Sequence, residues 1–298
     1  MRFSVWPGPQ QPWADTLELA KHADATGWDG LWYADHFMPN AEDVSAPVGE
    51  AWTTLAALAA VTSNLRLGTL VTGNTYRHPA VLAKMAAQVD VISNGRVVLG
   101  LGSGWQENEH QKYGIPFSTI GGRLARLDEA CAVIKGLTTE SRTTFQGKYY
   151  QLDDAPLEPK PVQRPLPLLI GGGGEQKTLK ITAKWADEWN VWGDPATLRA
   201  KMAILDGHCR DLGRDPKAIQ RSAVAMFAMS DDKAFVERVR SMGRPVIGGS
   251  VDEVRATIRE YQAAGVDEVI VPDFTLGRGA ARLAAYDAFM EQVAPEFR

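Results

Sequence analysis

Val97-Val98-Leu99-Gly100-Leu101-Gly102-Ser103-Gly104-Trp105 opens as a strand with almost no polar residue, the pattern of a strand buried on both faces. A dinucleotide-binding turn would follow such a strand with G-x-G-x-x-G. Counted from Gly100, the last glycine should stand at 105, where the chain has Trp105. Counted from Gly102, it should stand at 107, where the chain has Glu107. The run also lies about a third of the way along the chain, not in a first βα turn, so the dinucleotide fold is disfavoured. What remains is a glycine-bearing turn at the C-terminal end of a strand. In a barrel, that end is the active-site face.

Outward from this stretch, short apolar runs alternate with helical periodicity in both directions. Phe3–Trp6, Trp28–Tyr33, Arg66–Val71, Val97–Leu101, Pro167–Ile170, Glu188–Val191 and Val269–Val271 read as strands. Trp13–Thr26, Ala51–Thr62, Pro79–Ile92, Arg123–Leu137, Gln176–Ala186, Pro195–Leu212 and Ala281–Val293 read as helices. Ile219–Met229, Lys233–Met242 and Val251–Ala264 follow in the same rhythm, and a weak strand around Val246-Ile247 brings the strand count to about eight. Such βα units make either an open doubly wound sheet or a TIM (β/α)8 barrel. The barrel is preferred, as one domain over residues 1–298 with an insertion at about 138–166 between strands 4 and 5. The insertion carries a hairpin-like run, Thr143–Tyr150, and an extended connector rich in proline.

The 298 residues are 45% hydrophobic and 23% charged with a formal net charge of −4, which excludes disorder and disfavours nucleic acid as a partner. Two isolated cysteines, Cys131 and Cys209, fit buried thiols in a reducing compartment. There is no apolar leader at the N-terminus and no run of the roughly 18 apolar residues that a membrane helix needs. A cytoplasmic protein with no membrane partner is therefore expected.

Gly171-Gly172-Gly173-Gly174 joins a strand to a helix beginning near Glu175 or Gln176. Four glycines cost backbone entropy and pack nothing; their use is close approach of backbone, with free N–H groups at a helix start facing an anion. The run reads as a phosphate cradle or as a flexible lid, with the cradle preferred. His36 follows the second strand, next to Asp35. It is either a proton-handling residue oriented by a neighbouring carboxylate or an ordinary hydrogen-bonded histidine. No metal-ligand spacing, G-x-S-x-G elbow or phosphate loop with lysine occurs, and Asp187-Glu188 reads as structural.

Taken in order, Leu31-Trp32-Tyr33-Ala34-Asp35-His36, Leu67–Thr72, Tyr76-Arg77-His78-Pro79, Gly95-Arg96-Val97 with Gly102–Trp105, Ile170–Glu175 and Ala186–Asn190 resemble the bacterial luciferase-like flavin barrels. The chain is most similar to the branch that uses the deazaflavin coenzyme F420. The resemblance implies hydride transfer between the deazaflavin C5 and a small organic substrate, with His36 moving the proton. It implies cofactor contacts from Asp35, from a strand-three bulge at Thr69, Leu70 and Val71 with a cis peptide at Thr69-Leu70, and from Gly102, Gly104, Trp105 and Asn108. The cofactor phosphate would lie on Gly171, Gly172, Gly173, Gly174 and Glu175. It also allows a homodimer, although no exposed apolar stripe points to one. Where the family's sugar-phosphate dehydrogenases carry a glutamate, this chain has Trp105. Trp32 and Trp105 are therefore expected as apolar pocket walls for an aromatic or alicyclic substrate. The alternatives are an FMN-dependent monooxygenase on the same barrel, a non-flavin phosphate-binding barrel enzyme and a catalytically silent cofactor-binding barrel. The non-flavin enzyme lacks a strand lysine, since Lys84, Lys135 and Lys201 fall in helical patterns.

Overall fold

The computed structural model describes residues 1–298. In chain order the elements are β1 (Arg2–Trp6), α1 (Trp13–Thr26), β2 (Gly30–Tyr33), α2 (Ala51–Val61), β3 (Arg66–Thr69), β4 (Thr72–Gly73), α3 (Pro79–Ser93), β5 (Val97–Gly102), α4 (Glu107–Tyr113) and α5 (Ile120–Thr139). There follow β6 (Thr143–Gln146), β7 (Gln151–Ala155), β8 (Leu168–Gly171), α6 (Thr178–Trp185), β9 (Glu188–Trp192), α7 (Pro195–Asp211), β10 (Gln220–Val224) and β11 (Met226–Met229). The chain ends with α8 (Lys233–Arg240), β12 (Val246–Gly249), α9 (Val251–Ala263), β13 (Glu268–Pro272) and α10 (Ala280–Gln292). No helix is long and apolar enough to cross a membrane.

Eight parallel strands close a ring in the order β1, β2, β3, β5, β8, β9, β10, β13, with β13 returning to β1 in register from Arg2 opposite Glu268 to Trp6 opposite Pro272. This is the TIM barrel. The ring differs from the expected strand count in one place. Residues 219–229 supply its seventh strand, β10, and then break at Ala225. β13 pairs with the lower half of that long strand (Ser222 opposite Glu268), which leaves only its upper half, β11, to pair with β12. The weak strand at Val246 thus lies outside the ring. The insertion forms the antiparallel hairpin β6–β7, whose turn is held by the Glu129 carboxylate accepting from the Lys148, Tyr149 and Tyr150 amides.

Alternation along each strand sorts the core. Leu31 and Tyr33 face outward into the layer between ring and helices, while Trp6, Trp32, Ala34, Leu70, Val98, Leu169, Val224 and Ile270 fill the ring itself. The N-terminal end of the ring is plugged by charge. Glu268 accepts from Ser4 Oγ at 2.6 Å and from Arg66 at 3.2 Å, and Arg2 lies 3.3 Å from it; Arg66 also pairs with Glu188. That end is closed, and the loops at the opposite end carry the site.

Candidate functional site at the C-terminal mouth

The strand-three bulge is seated by missing side chains. Between β3 and β4 the backbone at Leu70-Val71 turns into the ring, with Thr69 Oγ1 donating to Gly100 O at 2.7 Å. A Cβ on Gly100 would fall 1.8 Å from Thr69 O; Cβ atoms on Gly102 and Gly171 would meet the Val71 methyls at 2.9 and 2.8 Å. These three glycines therefore make room for the bulge itself. The cis peptide lies one bond further on than expected, at Leu70-Val71. Leu70 packs inward beside Trp32, and Val71 is the more exposed of the pair.

His36 lies three residues past β2, the strand next to β3 in the ring, and the Leu70 amide of the bulge donates to Tyr33 O at 2.8 Å. Its Nδ1 lies 3.0 Å from a carboxylate oxygen of Glu109, whose other oxygen accepts from the Phe37 amide at 2.9 Å. Tyr76 donates its hydroxyl to the same carboxylate. Glu109 is 0% exposed. Burial pushes its carboxyl up, but the hydrogen bonds from His36, Phe37 and Tyr76 outweigh that and hold it below the usual carboxylate value. Burial, then the hydrogen bond to Glu109, pushes the Tyr76 phenol well above its usual value, so it stays a donor. With Nδ1 engaged, Nε2 is the His36 ring atom left for chemistry. Asp35 does not orient His36. Adjacent residues on an extended chain point apart, and the Asp35 carboxylate is fully buried against Arg77, at 2.6 and 3.2 Å. It anchors Arg77, which also reaches Glu50, the N-cap of α2.

The helix that supplies Glu109 is α4, which the sequence pattern did not separate from its surroundings. It clamps the 36–39 segment at three points. Gln106 Nε2 donates to Met38 O at 2.9 Å, Asn108 Nδ2 to Pro39 O at 2.9 Å, and Glu109 holds His36 and Phe37. Asn108 is thus spent on the clamp. Trp105, at the helix entrance, is 61% exposed and sets its ring edge-on to His36 at 5.4 Å. It is placed at the mouth, beside His36. Trp32 is not. It is 2% exposed, Gly68 makes room for its ring, and its indole N–H donates to Glu268 at the closed end, 2.8 Å away.

Other aromatic walls lie on the opposite rim. Trp6 packs between Trp192 at 5.8 Å and Phe274 at 5.1 Å, and Arg244 covers the Trp192 ring. Trp6 Nε1 is buried without a partner, and Phe274 is 45% exposed. Beside them a cavity of 470 Å³ opens between the β1–α1 and β13–α10 loops, over Asp273 and the unpaired Arg278. Between the rims, Asn74 is buried with its amide N–H on Gly102 O, and its side-chain oxygen has no donor.

The glycine run after β8 splits in two. Gly171 serves the bulge. Gly172, at φ +126°, donates to Asn190 O and accepts from the Trp189 indole. The amides of Gly173, Gly174, Glu175 and Gln176 donate to no acceptor in the chain. Lys201 closes the loop from α7, bonding Gly173 O at 2.9 Å and Glu175 at 3.2 Å. The helix starts at Thr178, two or three residues later than expected, which lengthens the open loop.

Residues 1–265 match the family described as luciferase-like monooxygenase. An F420-dependent glucose-6-phosphate dehydrogenase of Amycolatopsis mediterranei is 38% identical over 174 residues, 58% of this chain and 50% of that protein. An F420-dependent hydroxymycolic acid dehydrogenase of Mycobacterium tuberculosis is 31% identical over 242 residues, 80% of this chain and 66% of that protein. The matched chain thus spans about half to two thirds of these curated relatives. Among solved structures, an F420-dependent secondary alcohol dehydrogenase bound to an F420–acetone adduct superposes with a TM-score of 0.85 at 22% identity, covering 100% of this chain and 99% of that one. The monooxygenase RslO1 from Streptomyces bottropensis superposes at 0.83 and 20% identity, covering 100% of both chains. At these identities the structures speak for the barrel, and the family match spans most of the chain: this protein belongs to the luciferase-like monooxygenase family.

Proposed function

We propose that the protein is a coenzyme F420-dependent oxidoreductase acting on a small organic alcohol or carbonyl compound. The observation that carries this reading is His36, held through Nδ1 by a buried carboxylate, which leaves Nε2 without a partner in the chain, on the strand next to the strand-three bulge. The names of the matched relatives point to F420 rather than FMN. The residues fit such a group at two places. The free amides of Gly173–Gln176 suit a phosphate, and the buried, donorless Asn74 side-chain oxygen suits a ring N–H. Val71 and the bulge would back the ring.

Bound there, the coenzyme supplies a carbon that takes or gives a hydride. The chain's own residues do the rest. His36 Nε2 accepts the hydroxyl proton when an alcohol is oxidised and returns it when a carbonyl is reduced. Glu109 holds the imidazole in place, and Tyr76 and the Phe37 amide keep Glu109 ionised. Trp105 on one rim and Trp6, Trp192 and Phe274 on the other exclude water and favour a substrate with an apolar body. Replacing His36 with Ala should cut turnover about 10²–10⁴-fold, the range of general acid–base catalysis, while a fluorescence titration still shows F420 binding. Unchanged turnover removes His36 from the mechanism; tight FMN binding without F420 binding overturns the coenzyme assignment.

A further inference from the structure

The inserted hairpin β6–β7 reaches the site through one side chain. Phe145, Tyr150 and Ala155 pack against the main core, and Glu129 of α5 accepts from the Tyr150 amide at 3.1 Å. The Tyr150 ring meets the imidazole of His78, the N-cap of α3, edge-on at 5.2 Å. With main chain and ring both held, the hydroxyl is delivered to one place, where it accepts from Asn74 Nδ2 at 3.2 Å. Burial pushes the Tyr150 phenol above its usual value, so the hydroxyl stays protonated. Asn74 itself opens the short turn from β4 to α3, which Tyr76 closes by donating its amide to Gly73 O at 3.0 Å. This turn sends two side chains to two tasks. Tyr76 goes to Glu109 and the proton site, and Asn74 goes to Tyr150. The Asn74 side chain is 2% exposed, Tyr150 is its one partner, and Oδ1 has none. A carboxamide that nothing holds can turn about its last bond and exchange its nitrogen for its oxygen. Here Tyr150 holds the nitrogen end, so the oxygen is the end left for a donor.

We propose that Tyr150 is a positioning residue for the coenzyme: it fixes the Asn74 carboxamide so that Oδ1 is presented to a ring N–H. The inference rests on the F420 reading and goes beyond it by giving the insertion a part in coenzyme binding. An acceptor buried without a donor is costly in the free protein, and a ligand N–H removes that cost only if the oxygen is the end presented. Tyr150 therefore acts through Asn74 and not by a contact of its own. The hairpin is the brace that keeps it there, since Glu129 fixes the turn from which the phenol projects.

The test is a double-mutant cycle read by fluorescence titration of the full-length protein with F420. Tyr150→Phe keeps the ring and its packing and removes only the hydroxyl; it should weaken F420 binding about 2- to 12-fold, the worth of one hydrogen bond. Asn74→Ala should weaken it about 5- to 150-fold, as expected when a ring N–H is left without an acceptor. In the Asn74→Ala background, Tyr150→Phe should cost nothing further, because the residue it positions is gone. A merely structural role would give the same loss in both backgrounds. Selective nitrogen labelling of asparagine supplies a second readout that needs no change at Asn74. The Asn74 side-chain amide signal should move when F420 is added, and in Tyr150→Phe it should lose its protection from solvent exchange. Equal F420 affinity of wild type and Tyr150→Phe, a loss that persists in the Asn74→Ala background, or an Asn74 signal indifferent to F420 overturns the role of Tyr150 while the coenzyme assignment stands. Failure of the wild-type protein to bind F420 overturns both.

Discussion

A histidine at a strand end is chemically useful only if something fixes its ring, and here that residue is Glu109. Glu109→Gln keeps the shape and removes the charge. Turnover should fall about 10- to 150-fold, the equivalent of the 1.5–3 kcal/mol of a hydrogen bond to a charged group, with little change in coenzyme affinity. Nitrogen NMR of His36 should show the loss of a fixed Nδ1–H tautomer, a change that a purely structural role for Glu109 would not produce. The same carboxylate couples to acid stability. Its folded pKa is depressed, so its contribution is whole above the ordinary glutamate value of about 4.3 and is lost as pH falls through the lower folded value. Denaturant melts of wild type and Glu109→Gln should therefore converge in that acid window. His36 was legible in the sequence because strand ends in a barrel carry chemistry. Glu109 was not, because it arrives from 73 residues away on a helix of seven residues. The two tryptophans read as pocket walls parted for a similar reason. Pattern tells that Trp32 points into the ring, but only Gly68 and Glu268 decide that it points down.

At the scale of the element, two kinds of glycine do opposite jobs. Gly100 faces the bulge, where an added Cβ meets main chain that cannot step aside. Gly100→Ala should therefore cost at least the 1–3 kcal/mol of an overpacked core and blunt coenzyme binding by displacing Val71. Gly121 sits in α5 with only the tip of Lys177 near it. Gly121→Ala should stabilise the fold by about 0.5–1 kcal/mol through the unfolded chain. Thermal melts of the two variants should thus shift in opposite directions. The βα alternation was readable because parallel strands covered on both faces become nearly continuous apolar runs. It misled at Val246, where local pattern announces a strand but only long-range pairing decides which partner is free. Beyond Gly100, the turn glycines could not be sorted by sequence into those that seat the bulge and those that open the cradle, since both follow strands.

At the scale of the molecule, the ring divides into a closed charged end and an open chemical end. Glu268 joins Ser4, Trp32, Arg2 and Arg66. Glu268→Ala removes the acceptor common to them and should destabilise the fold by about 3 kcal/mol, the low end of the cost of breaking a buried pair, because both arginines remain partly solvated. The midpoint of chemical denaturation should drop while His36-dependent turnover of the folded fraction persists, since the plug and the proton site lie at opposite ends. The ring also joins the first strand to the last. Phe3 to Trp6 find their second neighbour only in Val269 to Pro272, and the Met1 ammonium rests on Phe297 O at 2.8 Å. On the ribosome, at about 5–20 residues per second, β1 is made first and then waits on the order of tens of seconds for the strand that covers its other edge. Until then it presents bare N–H and C=O groups beside apolar side chains, the template on which strands of different chains adhere. The closed barrel is therefore safest late in its own synthesis, and the interval before closure is when crowding by sister chains would do it most harm.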